Sequence, residues 1–520
     1  MTPMAKFITA REAAELIPDG ATVGIAGMGL SGWAEEIACA VADSFKETGH
    51  PCNLTLRQGS AMGDWKERGV TRLGYEGLVT RWSGAHIGSA FTLRDLAVQN
   101  KLQCHCLPQG VIVNLWREIA AGRPGLMTKV GLGTFVDPRV EGGKMNDVTT
   151  DELVELVEFQ GEEYLFYKAF PLNIALLRGT IADENGNISF ENEGIINEGL
   201  AVAQAAKSTG GIVIVQVEYV TKRGTLHPKS VKIPGILVDY VVQATDKDAC
   251  WQSEGVYFEP SFSGHIRKPL SAIAPLPLDE RTVIARRCAM ELRAGDVVNL
   301  GVGMAADVAN VVAEEGYSDS VVMTTESGQV GGVPSSPPNF GCAYNPEAIM
   351  EHGAMFDLID GGILDVACLG LGEADEQGNI NVSKFGPRLT GPGGFINITQ
   401  STKKVIFCGT FVGKSKMTVR DGCLTVTQEG SIRKFLKHVR QITFSGSYVK
   451  PGQDILYVTE RCVLRLINGK MTIIEIAPGI NLEKDILAHM DFVPEIAPDM
   501  KTMDAAIFYQ KWGGLKDFII

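Results

Sequence analysis

The chain has 520 residues, 45% of them hydrophobic and 21% charged, with a net charge of −13. That length exceeds a single hydrophobic core, so at least two soluble domains are expected, and the acidic balance argues against nucleic acid or an anionic membrane as partner. No apolar run reaches membrane length and the N-terminal stretch lacks a charged-then-apolar leader, so a cytoplasmic protein is expected.

From the N-terminus, TAREAAELI (Thr9 to Ile17) carries a helical pattern. ATVGIAGMG then runs an apolar strand into Gly27-Met28-Gly29-Leu30-Ser31-Gly32, which fits G-x-G-x-x-G before a helix starting near Trp33. A dinucleotide site would need an acid closing the next strand, and CNLTLRQGS offers Arg57 instead. The turn is better suited to presenting backbone amides to a phosphate or acyl group. Cys104-His105-Cys106 lacks a second Cys/His pair nearby and makes no zinc site, and the 11 scattered cysteines read as reduced, buried thiols.

Further along, LNIALLRGTIADENGNI (Leu172 to Ile188) recurs as LDVACLGLGEADEQGNI (Leu364 to Ile380), and GIVIVQV from Gly211 falls in step with KVIFCGT from Lys404. The strand openings match too, IPDGATVGIAGMG against LRAGDVVNLGVGM, with extra residues in the first copy between about Asp64 and Asn146. The chain is an internal duplication. Asp183 begins a stretch resembling a calcium loop, but its glycine comes two residues early; the same turn recurs at Asp375, so Asn-Gly hairpin chemistry accounts for both.

Continuous apolar strands alternating with helices such as GLAVAQAAKST indicate α/β architecture, two similar mostly parallel domains fused in one chain. The expected boundaries are 1–267 and 280–520, joined by a proline-rich linker at 268–279, after which ERTVIARRCAMELRAG reads as an amphipathic helix. CGTFVGKS from Cys408 misses a phosphate loop for want of its first glycine, and neither H-E-x-x-H nor G-x-S-x-G occurs.

The stretch VVMTTESGQVGGVP stands apart. A buried strand ends at a lone acid, Glu326, ahead of Gly328, Gly331 and Gly332, while GPGGFINI (Gly391 to Ile398) supplies a second amide-rich loop. A carboxylate removed from water near amide donors can act as a covalent nucleophile, and the same donors would stabilise an oxyanion on a substrate carbonyl.

These segments, with PQG at Pro108 to Gly110, VGLGTFVDPR at Val130 to Arg139, GGKMND at Gly142 to Asp147 and NLGVG at Asn299 to Gly303, resemble the family I coenzyme A transferases over essentially the whole length, most closely the bacterial propionate/acetate type. The resemblance implies that Glu326 of the E-x-G motif is the nucleophile, although many relatives carry asparagine where this chain has Ser327. It implies that Gln109 and a backbone N–H of Gly393 or Gly394 form the oxyanion hole, and that Gly301, Gly303, Gly328 and Gly391 border the CoA chain. Met28 and Gly29 are the expected acyl-pocket residues, with Trp33 and Phe340 as further candidates.

The implied partners are short-chain acyl-CoA and carboxylic acids, with coenzyme A as substrate and covalent intermediate rather than a resident cofactor, no metal, and a homo-oligomer, a tetramer by the same resemblance. The alternatives are a thioesterase or a transferase for another small hydroxy- or oxo-acid. An effector-binding regulatory protein is disfavoured by the lack of a basic nucleic-acid-reading segment.

Overall fold

A computed structural model describes residues 5–269 and 276–519. Two large sheets dominate. In the first the strands run, edge to edge, Lys6–Phe7, Tyr240–Gln243, Ile212–Thr221, Ile174–Asp183, Thr22–Ile25, Leu54–Gln58, Val79–Gly84 and Gln103–Cys106, every neighbouring pair parallel. In the second the parallel centre runs Val322–Thr324, Val297–Leu300, Val366–Gly370, Lys404–Cys408 and Asp454–Val458. Antiparallel strands, among them Cys462–Ile467 and Lys470–Ile476, extend one side of it.

The five central positions of the two sheets correspond, as the duplication requires: Leu54–Gln58 and Val322–Thr324 hold one place, Thr22–Ile25 and Val297–Leu300 the next. The extra segment of the first copy supplies Val79–Gly84 and Gln103–Cys106, which widen the first sheet beyond Leu54–Gln58. Strands such as Ile174–Asp183 are buried almost throughout, because helices cover both faces and leave no polar alternation to read. In each sheet the chain steps first to one side of Thr22–Ile25 or Val297–Leu300 and later returns on the other. The crevice beyond the carboxyl ends at such a reversal is where α/β sheets bind ligands.

Both Asp-rich turns close on themselves. Asp183 accepts from the backbone of Asn185 and Asn187 at 2.9 and 3.0 Å, and Asp375 from Gln377 and Asn379 at 3.1 and 3.0 Å. Each acid is consumed by its own hairpin, with Gly186 and Gly378 at positive φ. The helix expected to be amphipathic, Glu280–Ala289, is instead buried from Thr282 to Ala289. The C-terminal residues cover its charged side: Arg286 donates to the carbonyls of Ile507 and Tyr509 at 3.1 and 2.6 Å, and Arg287 pairs with Glu475 at 2.7 Å. Periodicity could not reveal partners 188 and 221 residues away.

Of the expected linker, 270–275 lie outside the described residues; Lys268 is fastened by its backbone N–H to the Asn345 side chain at 2.7 Å. The two copies meet where helix Gln109–Ala120 packs on His352–Asp360, with Arg117 paired to Asp357 at 2.9 Å and the Gly110 N–H donating to Asn397 at 3.0 Å. Among the described residues no helix is long and apolar enough to cross a membrane.

Candidate active site

The carboxyl ends of both sheets open onto one cavity of about 260 Å³. Glu326 reaches it two residues past Val322–Thr324, on a turn that the local sequence makes rigid. Thr325 N–H donates to Gln329 O at 2.9 Å, and Gly328, at φ +119, lies so close to Met350 that a Cβ would meet its carbonyl oxygen at 2.2 Å. Gln329 donates to the carbonyls of Gly194 and Phe262 at 2.6 and 2.7 Å, fastening the turn to the first half. Ser327 is fully buried, its hydroxyl on the Gly341 carbonyl and the Thr325 hydroxyl. It braces the turn.

The Glu326 side chain is half-buried. Desolvation raises its pKa to about 7, an effect that the Gln109 amide and the Gly394 N–H offset in part. Gly394 starts the helix Phe395–Ser401. A Cβ there would sit 2.2 Å from Glu326 Oε2 and 3.2 Å from the Phe356 ring, so only glycine lets the backbone amide come this close. The Gly393 N–H is committed elsewhere, donating to Ala85 O at 2.9 Å, while Gly393 O accepts from Gln109 N at 3.0 Å. Of the two glycine amides expected as donors, Gly394 alone is turned to the carboxyl group.

Gln109 opens its helix directly after Pro108 and is 1% exposed. Its side chain meets His352 Nε2 at 3.0 Å, and His352 Nδ1 meets Glu198 Oε2 at 2.8 Å, both partners fully buried. Neither His352 nor Glu198 stood out in the sequence. Each begins or caps a helix, the commonest bland position for such residues, and the contact spans 154 residues.

Gly29, Met28, Gly301 and Gly391 line the cavity with Glu326, Gln109, Gly393 and Gly394. Gly301 N–H donates to Cys368 O at 2.8 Å and Gly391 N–H to Ser383 O at 3.0 Å, so these two shape the wall without free donors. Gly303 and Gly328 stand off the lining: Gly303 is exposed at the start of a 3₁₀ turn, and Gly328 sits beneath the Glu326 turn. Phe340 is on the wall, whereas Trp33 is in the core, its N–H on Glu35 at 2.6 Å. His105, in the lone Cys-His-Cys cluster, bonds the Asp151 carbonyl at 2.9 Å between two core thiols.

One side of the cavity is polar in a way the sequence did not signal. Ser60 Oγ, His86 Nδ1 and Thr390 Oγ1 have no hydrogen-bond partner among the described residues. Beside them Glu254, desolvated and near Asp64, has its pKa raised to about 8, while burial and then Arg388 lower that of His86 to about 4, so both are uncharged at neutral pH. Leu300, Val302, Phe340 and Leu369 make up much of the rest.

A model of the Coenzyme A transferase family matches residues 7–244. The chain is 70% identical to caffeate CoA-transferase of Acetobacterium woodii, across 98% of this chain and 99% of the relative. It is 43% identical to acetate CoA-transferase YdiF of Escherichia coli K12, across 96% and 94%. The crystal structure of the acyl-CoA transferase YdiF apoenzyme from Escherichia coli O157:H7 superposes with a TM-score of 0.93 at 41% identity over 99% of both chains. A thioester complex of that enzyme with CoA gives 0.92.

Proposed function

The chain belongs to the coenzyme A transferase family, and on that premise we propose that it moves CoA between an acyl-CoA and a free carboxylic acid, with Glu326 as the covalent relay. The observation that carries this reading is the Glu326 carboxyl group in the shared cavity, beside Gln109 and pressed against the Gly394 backbone. A Glu326 oxygen attacks the thioester carbonyl, the C–S bond breaks, and CoA leaves as thiolate from an acyl-glutamyl anhydride. The thiolate attacks the glutamyl carbonyl, releasing the first acid and leaving a glutamyl-CoA thioester. A second carboxylate repeats the two steps in reverse and departs as acyl-CoA, restoring Glu326. No ATP is consumed, because one thioester replaces another.

The donors around Glu326 suit this course. They favour the ionised nucleophile and are aimed where oxyanions develop. Exclusion of water protects both the anhydride and the thioester from hydrolysis, and contacts to the distant CoA chain can supply the energy that offsets the anhydride's instability.

For the acid exchanged, we infer one carrying hydroxyl groups. Ser60, His86, Thr390 and Glu254 offer hydroxyl-binding atoms that an unsubstituted short acyl chain would leave unpaired, at a real cost in binding. The 70% identical relative is named for caffeate, a dihydroxylated acid. The short-chain reading rests on the resemblance and on the relative named for acetate. A panel of acceptors decides between them: kcat/KM for caffeate should exceed that for cinnamate, and for lactate that for propionate, with CoA release from the donor requiring an acceptor. Release without any acceptor would make the protein a thioesterase. A preference for acetate and propionate would restore the short-chain reading.

The pH dependence follows from the same carboxyl group. Its pKa lies near 7 and the ionised form attacks, so kcat/KM for acyl-CoA should fall tenfold per unit below about pH 7 and level off above it. A profile flat from pH 5.5 to 8 would contradict a carboxylate nucleophile titrating in this range.

A further inference from the structure

We propose that Glu198 and His352 are positioning residues that fix which way the Gln109 amide faces. The inference rests on the reading of Gln109 as an oxyanion donor and adds what makes it one. A glutamine side chain is nearly symmetric in shape, and its two ends are opposite in function: the NH₂ stabilises an oxyanion and the carbonyl oxygen repels it. Something must choose between the two orientations. The fully buried chain Glu198 Oε2, His352 Nδ1, His352 Nε2, Gln109 Nε2, with separations of 2.8 and 3.0 Å, makes that choice.

His352 Nδ1 donates to the Glu198 carboxyl oxygen at 2.8 Å, so the imidazole proton sits on Nδ1 and Nε2 is left a lone pair. That lone pair accepts one Gln109 N–H, and the second N–H of the same NH₂ is left facing Glu326 and the carbonyl oxygen that reacts there. The opposite orientation would set the Gln109 carbonyl against the ring's lone pair and against the developing charge, two repulsions at once.

The surroundings hold both partners in place. His352 is pinned by its backbone N–H to Ile196 O at 2.9 Å and packs on Phe356 with ring centroids 5.5 Å apart. Gly59 comes so close to Glu198 that a Cβ there would lie 2.6 Å from Oε1. The chain also alternates between the two copies: Gln109 and Glu198 belong to the first sheet's half, His352 and Glu326 to the second's. Docking of the halves thus orients the donor.

The test is a double-mutant cycle read by steady-state kinetics. Glu198→Gln keeps shape but can present either an oxygen or an NH₂ to the ring, so both tautomers and both amide orientations become accessible. We expect kcat to fall on the order of tenfold with KM for acyl-CoA nearly unchanged, and His352→Phe, which removes the acceptor outright, to cost about 10²-fold. In the Gln109→Ala background neither substitution should cause further loss, since no amide remains to be oriented. His352→Asn tests the site should the phenylalanine variant misfold. Equal losses with and without Gln109, or wild-type kcat in Glu198→Gln, would overturn the proposal. If instead no CoA adduct forms on Glu326 in the unaltered enzyme, the fault lies with the catalytic reading itself, and mass analysis after incubation with acyl-CoA separates the two cases.

Discussion

Glu326→Gln should lose CoA transfer by four powers of ten or more while folding as well as the unaltered protein. The amide is isosteric with the carboxyl group but cannot open the covalent cycle. Stability should move the other way. Burial disfavours the ionised acid, so a neutral side chain relieves a folding cost that grows as pH rises above the range where the free acid titrates. The melting temperature at pH 8 is therefore expected to stay level or rise, the behaviour of a residue kept for function at the expense of stability. Borohydride after exposure to acyl-CoA should inactivate the unaltered enzyme and leave no mark on the variant. Residual transfer within a hundredfold of normal would mean the nucleophile is elsewhere.

Gly394→Ala should reduce kcat/KM by about 10² to 10³, a large effect for one methyl group. The backbone at Gly394, φ −80 and ψ −3, is one alanine adopts freely, so the backbone can keep its conformation. The new Cβ would instead fall 2.2 Å from Glu326 Oε2. That oxygen has to move, taking the nucleophile away from the thioester carbonyl and from the amide meant to steady it. Gly394 is the N-cap of its helix, where alanine is disfavoured relative to glycine, and the new Cβ also comes within 3.2 Å of the Phe356 ring, so a modest fall in melting temperature should accompany a far larger loss of rate. Near-normal turnover in this variant would show that Glu326 reacts from a position well clear of Gly394.

Several features of the site were open to inspection in the linear chain. Glu326 could be singled out because a lone acid at the end of an apolar strand, before glycines, is a pattern that burial alone does not favour. GPGGFINI was legible as an amide-rich loop, with Gly393 and Gly394 both candidates by resemblance, and the α/β class followed from strands without polar alternation. These are local signals, set by residues within one turn or strand of each other.

What escaped the sequence was set at long range. Which glycine amide points at Glu326 depends on Ala85 already holding that of Gly393. Arg286 is buried because a C-terminal segment folds back over it, and Arg287 because Glu475 of a distant strand meets it. Ser60, His86 and Glu254 come from three separate loops that share nothing in spacing.

By itself the amino-acid sequence determined two copies of a parallel α/β unit, an acid at the end of one strand and glycine loops to cradle it, because strand coverage and backbone freedom are written in neighbouring residues. Only the tertiary structure decided that Glu198 and His352 stand behind Gln109 and that one wall of the cavity is polar. Those contacts arise when the two halves dock, and a carboxylate or imidazole at a helix start looks the same in sequence whether it caps the helix or orients a catalytic amide.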